Sequence, residues 1–330
     1  MKLSVILSAY NSQDTISQAI ESVLTQSFRD FEFIIIDDGS MDNTAAIVGD
    51  YQEKDKRIVL IQQENKGLTK SLNTGINLAK GEYIARQDAD DLSSPDRLLE
   101  QVNFLDRNKE IGFAGSSCEV VDEKGYFLNY AYAVNNPKKN IARLKKQNIF
   151  CHGSMIFRRL ALNNAHGYRD FFKYAQDYDL YLRLIEFTIP GAVNRVLYRR
   201  RIRLDSISIA TLNLQLAYAN LAKRCYQYRL LNQDDNSLLQ DSFLEDSVRL
   251  FPCGYTLPFM KSLYSIKRND IETARNTIRP YLFPVSINKQ RLYALWFFSY
   301  MPSGIRNLIF MMKTGYRNLK NRFIWLLKNY

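Results

Sequence analysis

Residues 32–44, EFIIIDDGSMDNT, decide the fold. The apolar core of this stretch, Phe33 to Ile36, has no polar alternation, so the strand it predicts is buried on both faces, as in a parallel sheet. It runs into Asp37-Asp38-Gly39-Ser40, which is turn chemistry. Asp42-Asn43-Thr44 then opens a helix to about Gln52, with Asp or Asn as the natural cap. The same alternation extends in both directions. LSVILSA (3–9) is a buried strand, and 13–25 is a helix with Ile16, Ile20, Val23 and Leu24 on one face. RIVLIQ (57–62) is a third strand, followed by a helix over 68–79 that ends toward Gly81, read as a C-cap glycine. EYIAR (82–86) is a fourth strand and runs into Asp88-Ala89-Asp90-Asp91. Pro95 begins a helix carried by Leu98, Leu99, Val102 and Leu105, and Asp91 is a candidate cap for it. Strands alternating with helices predict a doubly wound α/β sheet.

Ligands of such sheets sit at the carboxyl ends of the strands. Three polar turns fall there: Tyr10-Asn11, Asp37-Asp38 and Asp88 to Asp91. No G-x-G dinucleotide fingerprint and no GxxxxGK[ST] phosphate loop occurs. Clustered carboxylates repel a phosphate unless a cation lies between them. Mg²⁺ and Mn²⁺ take oxygen ligands, and such ions are held by one or two carboxylates plus substrate phosphates. Asp88-x-Asp90 at a strand end therefore implies a metal and a diphosphate. A second D-x-D occurs at Asp177-Tyr178-Asp179, so the spacing alone says little. Its place after a buried strand carries the weight.

Composition narrows the field. The 330 residues are 46% hydrophobic and 24% charged, enough for a large core in two domains or in one domain with an extension. Cys118, Cys151, Cys225 and Cys253 are far apart, and there are only two histidines. A thiolate zinc finger and a multi-histidine metal site are excluded. The apolar run Leu3–Leu7 is too short for a signal peptide, and no stretch is long enough to span a membrane. The chain reads as cytoplasmic and reduced.

The net charge of +11 is uneven. After Glu272 come ten basic residues and no acidic one; the remaining 35 basic residues face all 34 acidic ones, a net of +1. Overall basicity thus gives no case for a nucleic-acid partner. The tail is also apolar at helical spacing: Leu308, Met312, Tyr316, Leu319, Phe323, Leu326 and Tyr330, beside Arg306, Lys313, Arg317, Lys320 and Lys328. Such a helix suits an anionic membrane surface; a helix packed on the domain with solvated lysines would show the same pattern.

Four segments in order, SVILSAYN (4–11), IIIDDGSMDNT (34–44), NKGL through LNTGINLAKGEYIARQDADDLSSPDRL (65–98) and QDYDLYLRL (176–184), resemble family 2 glycosyltransferases of the GT-A fold, most like bacterial enzymes of exopolysaccharide, capsule or O-antigen synthesis. The likeness covers about residues 3–208. It implies a GT-A domain over 1–210 and a helical region over 211–330 that ends in the membrane-associating tail. It implies donor contacts from Ala9, Tyr10, Asn11, Asp38, Asn65, Gly67, Leu68, Asp88 and Ala89. It further implies a Mn²⁺ or Mg²⁺ ion on Asp90 with Asp88, and Asp177 as the general base. His152 and Gln176 match positions near the acceptor.

Two positions depart from the family pattern. Gln176 stands where a Glu usually precedes the base, which removes a like charge beside Asp177. Arg203, within LYRRRIRLDSIS (197–208), stands where a His is common, and with Arg199, Arg200 and Arg201 nearby it can clamp a diphosphate. The implied reaction is inverting transfer of a sugar from a nucleotide diphosphate, with a UDP-sugar as the expected donor, to a hydroxyl of a glycan or polyprenyl-diphosphate-linked acceptor at the inner membrane face. The rivals are a silent nucleotide-sugar-binding or assembly protein, which Gln176 invites, and a nucleotidyltransferase, which would carry a Gly-rich, Lys-bearing loop after the first strand.

Overall fold

In a computed structural model, the structure describes residues 1–202 and 209–239, with the isolated positions 272 and 276. Residues 1–202 and 214–251 make one compact unit, and residues 203–213 and 252–330 a second. Arg203, the helical reading beyond residue 239 and the basic tail lie outside the described residues.

The first half alternates as its periodicity predicts: β1 (Leu3–Ala9), α1 (Ile16–Leu24), β2 (Phe31–Asp38), α2 (Thr44–Lys54), β3 (Ile58–Gln63), α3 (Leu68–Leu78) and β4 (Tyr83–Asp88). Next come β5 (Leu92–Ser93), α4 (Arg97–Arg107), β6 (Ile111–Asp122), β7 (Phe127–Ala131) and α5 (Pro137–Leu144). The rest is β8 (Ile156–Arg158), α6 (Arg159–Asn164), α7 (Gln176–Leu184), β9 (Ile189–Ile202) and α8 (Ile209–Leu230). The strands form one mixed sheet in the order β3-β2-β1-β4-β8-β6-β9-β5, with β7 paired to β6. β1 to β4 are parallel; β8 runs antiparallel between β4 and β6.

Alternation along each strand supplies two cores. Ile34 and Ile36 point to one face with Ile6 and Ile84, under α3, α7 and α8. Phe33 and Ile35 point to the other with Val5, Leu7 and Tyr83, under α1, α2 and α4. A strand lacking polar alternation is thus apolar because both of its faces are covered.

Two local expectations change, and the two candidate caps of α2 are told apart. Gly81 is not a left-handed C-cap: α3 ends at Leu78 with Ala79 as its C-cap, and a Cβ at Gly81 would lie 2.5 Å from the Ser4 nitrogen, so close approach to β1 requires the glycine. Asp91 does not cap α4, whose N-cap residue is Asp96 with no side-chain cap bond. Asn43 makes no cap bond to α2. Asp42 takes that part, accepting from the Thr44 amide at 2.9 Å and from the Gln13 amide at 3.1 Å.

Candidate active site

Parallel register lines up the strand ends. Ala9 pairs with Asp37, and Ser8 with Asp88, so the turns after β1, β2 and β4 share one carboxyl edge. Neighbouring strands are about 4.8 Å apart, which puts the β2 and β4 ends roughly 10 Å from each other across β1.

The turns after β1, β2 and β3 are tied together. The Asn11 amide donates to Ser40 Oγ at 3.0 Å, and Asn11 Oδ1 accepts from the Met41 amide at 2.9 Å. Asn11 has φ +47°, a left-handed conformation that Asn tolerates. Asp38 is buried and accepts three bonds from the next loop: Gln63 Nε2 at 2.7 Å, the Lys66 amide at 2.9 Å and the Gly67 amide at 2.8 Å. Gly39 (φ +74°) lets that turn pass the loop, since a Cβ there would lie 2.7 Å from the Asn65 nitrogen. Tyr10, Asn11, Asn65, Gly67 and Leu68 are exposed along this wall, while Ala9 is buried beneath it.

The turn after β4 rests on a buried frame that sequence reasoning missed. Arg97 is fully buried and, among the described residues, has no carboxylate partner. Its guanidinium donates to Gln87 Oε1 at 3.0 Å, Ser93 Oγ at 2.7 Å and the Arg86 carbonyl. Arg86, also buried, pairs with Asp88, whose amide donates to the Tyr198 hydroxyl at 3.1 Å. Burial would raise the Asp88 pKa, but Arg86 beside it holds it below the ordinary carboxylate value. Asp91 is buried, accepts from the Arg201 amide at 2.7 Å, and is pushed well up by burial and by the charges of Asp88 and Asp90. Ala89 is buried and Asp90 partly exposed. His152 Nε2 accepts from Arg86 Nε at 3.4 Å and lies 2.7 Å from the Tyr168 hydroxyl. Arg86 can only donate, so the ring proton sits on Nδ1. Burial and Arg86 depress the His152 pKa to about 3, so the ring is neutral at pH 7.

Asp177 sits in the first turn of α7, behind Ala175, whose φ of +51° is strained for a residue with a Cβ. It accepts from Asn148 Nδ2 at 2.6 Å and from the Tyr178 amide at 2.8 Å. Burial raises its pKa above 3.8; Arg200 opposes that shift and Asp88 adds to it. Asp177, Asp88 and Arg200 thus lie in one electrostatic field. The basic run divides. Arg199 pairs with Glu119 at 2.7 Å and Arg201 bonds Gln18 at 3.0 Å, whereas Arg200, two residues from Tyr198 on the same strand face, acts on Asp88, Asp91 and Asp177. Gln176 is buried beside Asp177. Asn148 had no sequence signal, since it belongs to no local pattern, and Tyr198 lay within LYRRRIRLDSIS without being singled out.

Among the described residues, no group of three or more ligating side chains could hold a metal by itself. Asp88 and Asp90 supply two carboxylates from one turn. That fits a Mg²⁺ or Mn²⁺ ion whose remaining ligands are water and substrate phosphate oxygens.

Gly153 packs on Asp88 and Tyr198. A Cβ there would lie 2.5 Å from Asp88 Oδ2 and closer still to the Tyr198 hydroxyl. Gly153→Ala is expected to lower kcat/KM roughly 100-fold, because a displacement of this size moves a positioned group. Far-UV circular dichroism should remain native. Wild-type kcat/KM in the variant would show that Asp88 need not be held.

Comparison with known proteins gives one picture. Residues 4–165 match the model of Glycosyl transferase family 2. EpsE of Bacillus subtilis (strain 168), assigned as a glycosyltransferase, is 38% identical over 205 residues, which are 61% of this chain and 73% of that protein. Chondroitin synthase of Escherichia coli is 30% identical over 213 residues, 64% of this chain and 31% of that protein. Among solved structures, S. aureus TarS 1–349 with UDP superposes with a TM-score of 0.57 at 20% identity, over 89% of this chain and 83% of that one. A mannosyltransferase from Pyrobaculum calidifontis, in complex with GDP-Man and Mn²⁺, superposes with a TM-score of 0.53 at 18% identity, over 89% of this chain and 78% of that one. These structures share the GT-A fold with the chain.

Proposed function

The chain belongs to glycosyltransferase family 2, and from that premise we propose inverting transfer of a sugar from a nucleotide diphosphate donor to a glycan or lipid-linked hydroxyl in cell-surface polysaccharide synthesis. The observation that carries the reading is the parallel register that brings the turns after β1, β2 and β4, with Asp38, Asp88 and Asp90, to one carboxyl edge. Asp177, its pKa raised by burial, takes the proton of the attacking hydroxyl. Attack from the face opposite the leaving group inverts the anomeric carbon, through an oxocarbenium-like transition state expected by analogy with glycoside hydrolysis. Asp88 and Asp90 would hold Mn²⁺ or Mg²⁺, which when bound supplies positive charge against the departing diphosphate. Arg200, and Arg203 by its place in the sequence, add guanidinium charge there. The wall formed by Ala9 to Asn11, Asp38 and Asn65 to Leu68 would receive the nucleoside, with uridine the expected base. His152 and Gln176 would border the acceptor.

Release of nucleoside diphosphate from a panel of nucleotide sugars tests this reading. One donor should be turned over with Mn²⁺. EDTA should stop it, and Asp90→Ala should cut metal-assisted donor affinity in isothermal titration by tenfold or more. No release from any donor would overturn the reading.

No described helix is long and apolar enough to cross a membrane. The basic, apolar stripe over 300–330 would hold the enzyme on an anionic bilayer surface. The full chain should float with anionic liposomes, and a chain ending at residue 299 should not; equal flotation would remove the tail from membrane binding.

A further inference from the structure

Beside Asp177 lies a cleft of about 290 Å³, of whose lining the reaction above uses Arg200 alone. Tyr132, Arg143, Gln147, Asn148 and Arg200 line it, and Asn148 is the residue bonded to Asp177 at 2.6 Å. Its volume is near the lower end of small-molecule sites. Its lining combines two guanidinium groups, two amides and a phenol. Among the described residues, no carboxylate lies within ion-pair distance of the Arg143 or Arg200 side chain. Arg143 belongs to a segment, residues 137–147, with five basic residues and no acidic one, whereas residues 1–272 as a whole carry a net charge of only +1.

A second observation leads to the same cleft. Phe127, Tyr130 and Tyr132, on and just beyond β7, are 44%, 41% and 56% exposed. Their rings form a ladder, with centroids 4.8 Å apart for Phe127–Tyr130 and 5.6 Å for Tyr130–Tyr132. Such a contiguous exposed aromatic row marks a binding surface. Among the described residues β7 pairs only with β6, so the row is on an edge of the described sheet, and its last ring, Tyr132, is also a wall of the cleft. Flat rings in series stack against the apolar faces of successive pyranoses. The guanidinium groups at the end of the row make charge-assisted bonds to an oxyanion.

We propose that the row from Phe127 to Tyr132 and the cleft at Arg143 and Arg200 form the acceptor track, and that it selects a glycan bearing acidic groups. This rests on the glycosyltransferase reading above and adds the acceptor class to it. The acceptor chain lies along the ladder. An anionic substituent near its growing end meets Arg143, and the terminal hydroxyl comes to Asp177.

The test uses one backbone in three forms: a glucan hexasaccharide, the same with C6 oxidised to carboxylates, and the same with C6 phosphate esters. Isothermal titration with the full chain at physiological salt reads binding without turnover. Both charged forms, or one of them, should bind at least tenfold more tightly than the neutral one, and which one does so tells carboxylate from phosphate. Arg143→Gln should erase that preference, and Tyr132→Ala should weaken all forms. Lys54→Gln, a surface lysine on α2, should change nothing. Equal affinity for the three forms, or a preference that survives Arg143→Gln, overturns the proposal. Donor hydrolysis without acceptor is measured separately in the wild type; its absence would sink the glycosyltransferase reading and leave the glycan-binding comparison standing.

Discussion

Asp177→Asn is expected to lower turnover by about three orders of magnitude, within the range of a lost general base. The fold should not suffer. An amide can keep the bond from the Tyr178 nitrogen, and Asn148 can reverse its own amide to accept from the new NH₂ group. The sign of the stability change follows from the pKa. Burial raises the native Asp177 value above 3.8, so at neutral pH the ionised carboxylate opposes folding. A neutral amide removes that penalty, and Tm should hold or rise. The wild-type rate should increase with pH through the raised Asp177 pKa, so the acid limb of the pH–rate profile lies above 3.8 and is absent from the residual activity of the variant. Donor affinity should be nearly unchanged. Wild-type-like transfer by Asp177→Asn would remove this residue from the mechanism.

The same substitution two residues later should do the opposite. Asp179 is fully buried and faces the other way. It pairs with Arg169 and lies 3.0 Å from the Arg183 guanidinium, while Arg169 also reaches Asp235 at 2.7 Å and Asp235 pairs with Arg229 of α8. Two carboxylates and three guanidinium groups thus join α7 to α8 from within. Asp179→Asn leaves cationic charge without its partner in a buried network, which costs about 3–5 kcal/mol. The drop in Tm should be on the order of 10 °C. Chemical denaturation and a thermal scan of the two variants side by side would show the contrast. A stable Asp179→Asn protein would mean that the three arginines find other partners.

Much of this protein could be read from local pattern. The unbroken apolar runs of β1 and β2 and the polar turns after β1, β2 and β4 placed the sheet and the edge proposed as the site, because period-two burial and turn chemistry are written within a few residues. Ordered motifs pointed to the family. Less legible were features whose partners are distant. The block Arg199–Arg201 reads as three equal cations; strand alternation and Glu119 single out Arg200. Gly81 resembles a helix stop and is a point of contact with β1. Asp91 resembles a cap and is a buried acid held by the Arg201 amide.

The pair Asp177-x-Asp179 marks the boundary most plainly. Residue order by itself gave two acids separated by one residue in a segment that resembles the family's base-bearing motif; the structure puts both in the first turn of α7, where the dipole favours them. The family resemblance singled out Asp177 as the candidate base; only the tertiary structure showed that Asp179 braces, buried between Arg169 and Arg183. A carboxylate's ionisation depends on what buries it and which charges surround it, and those groups come from residues 88, 148, 169, 183, 200 and 235.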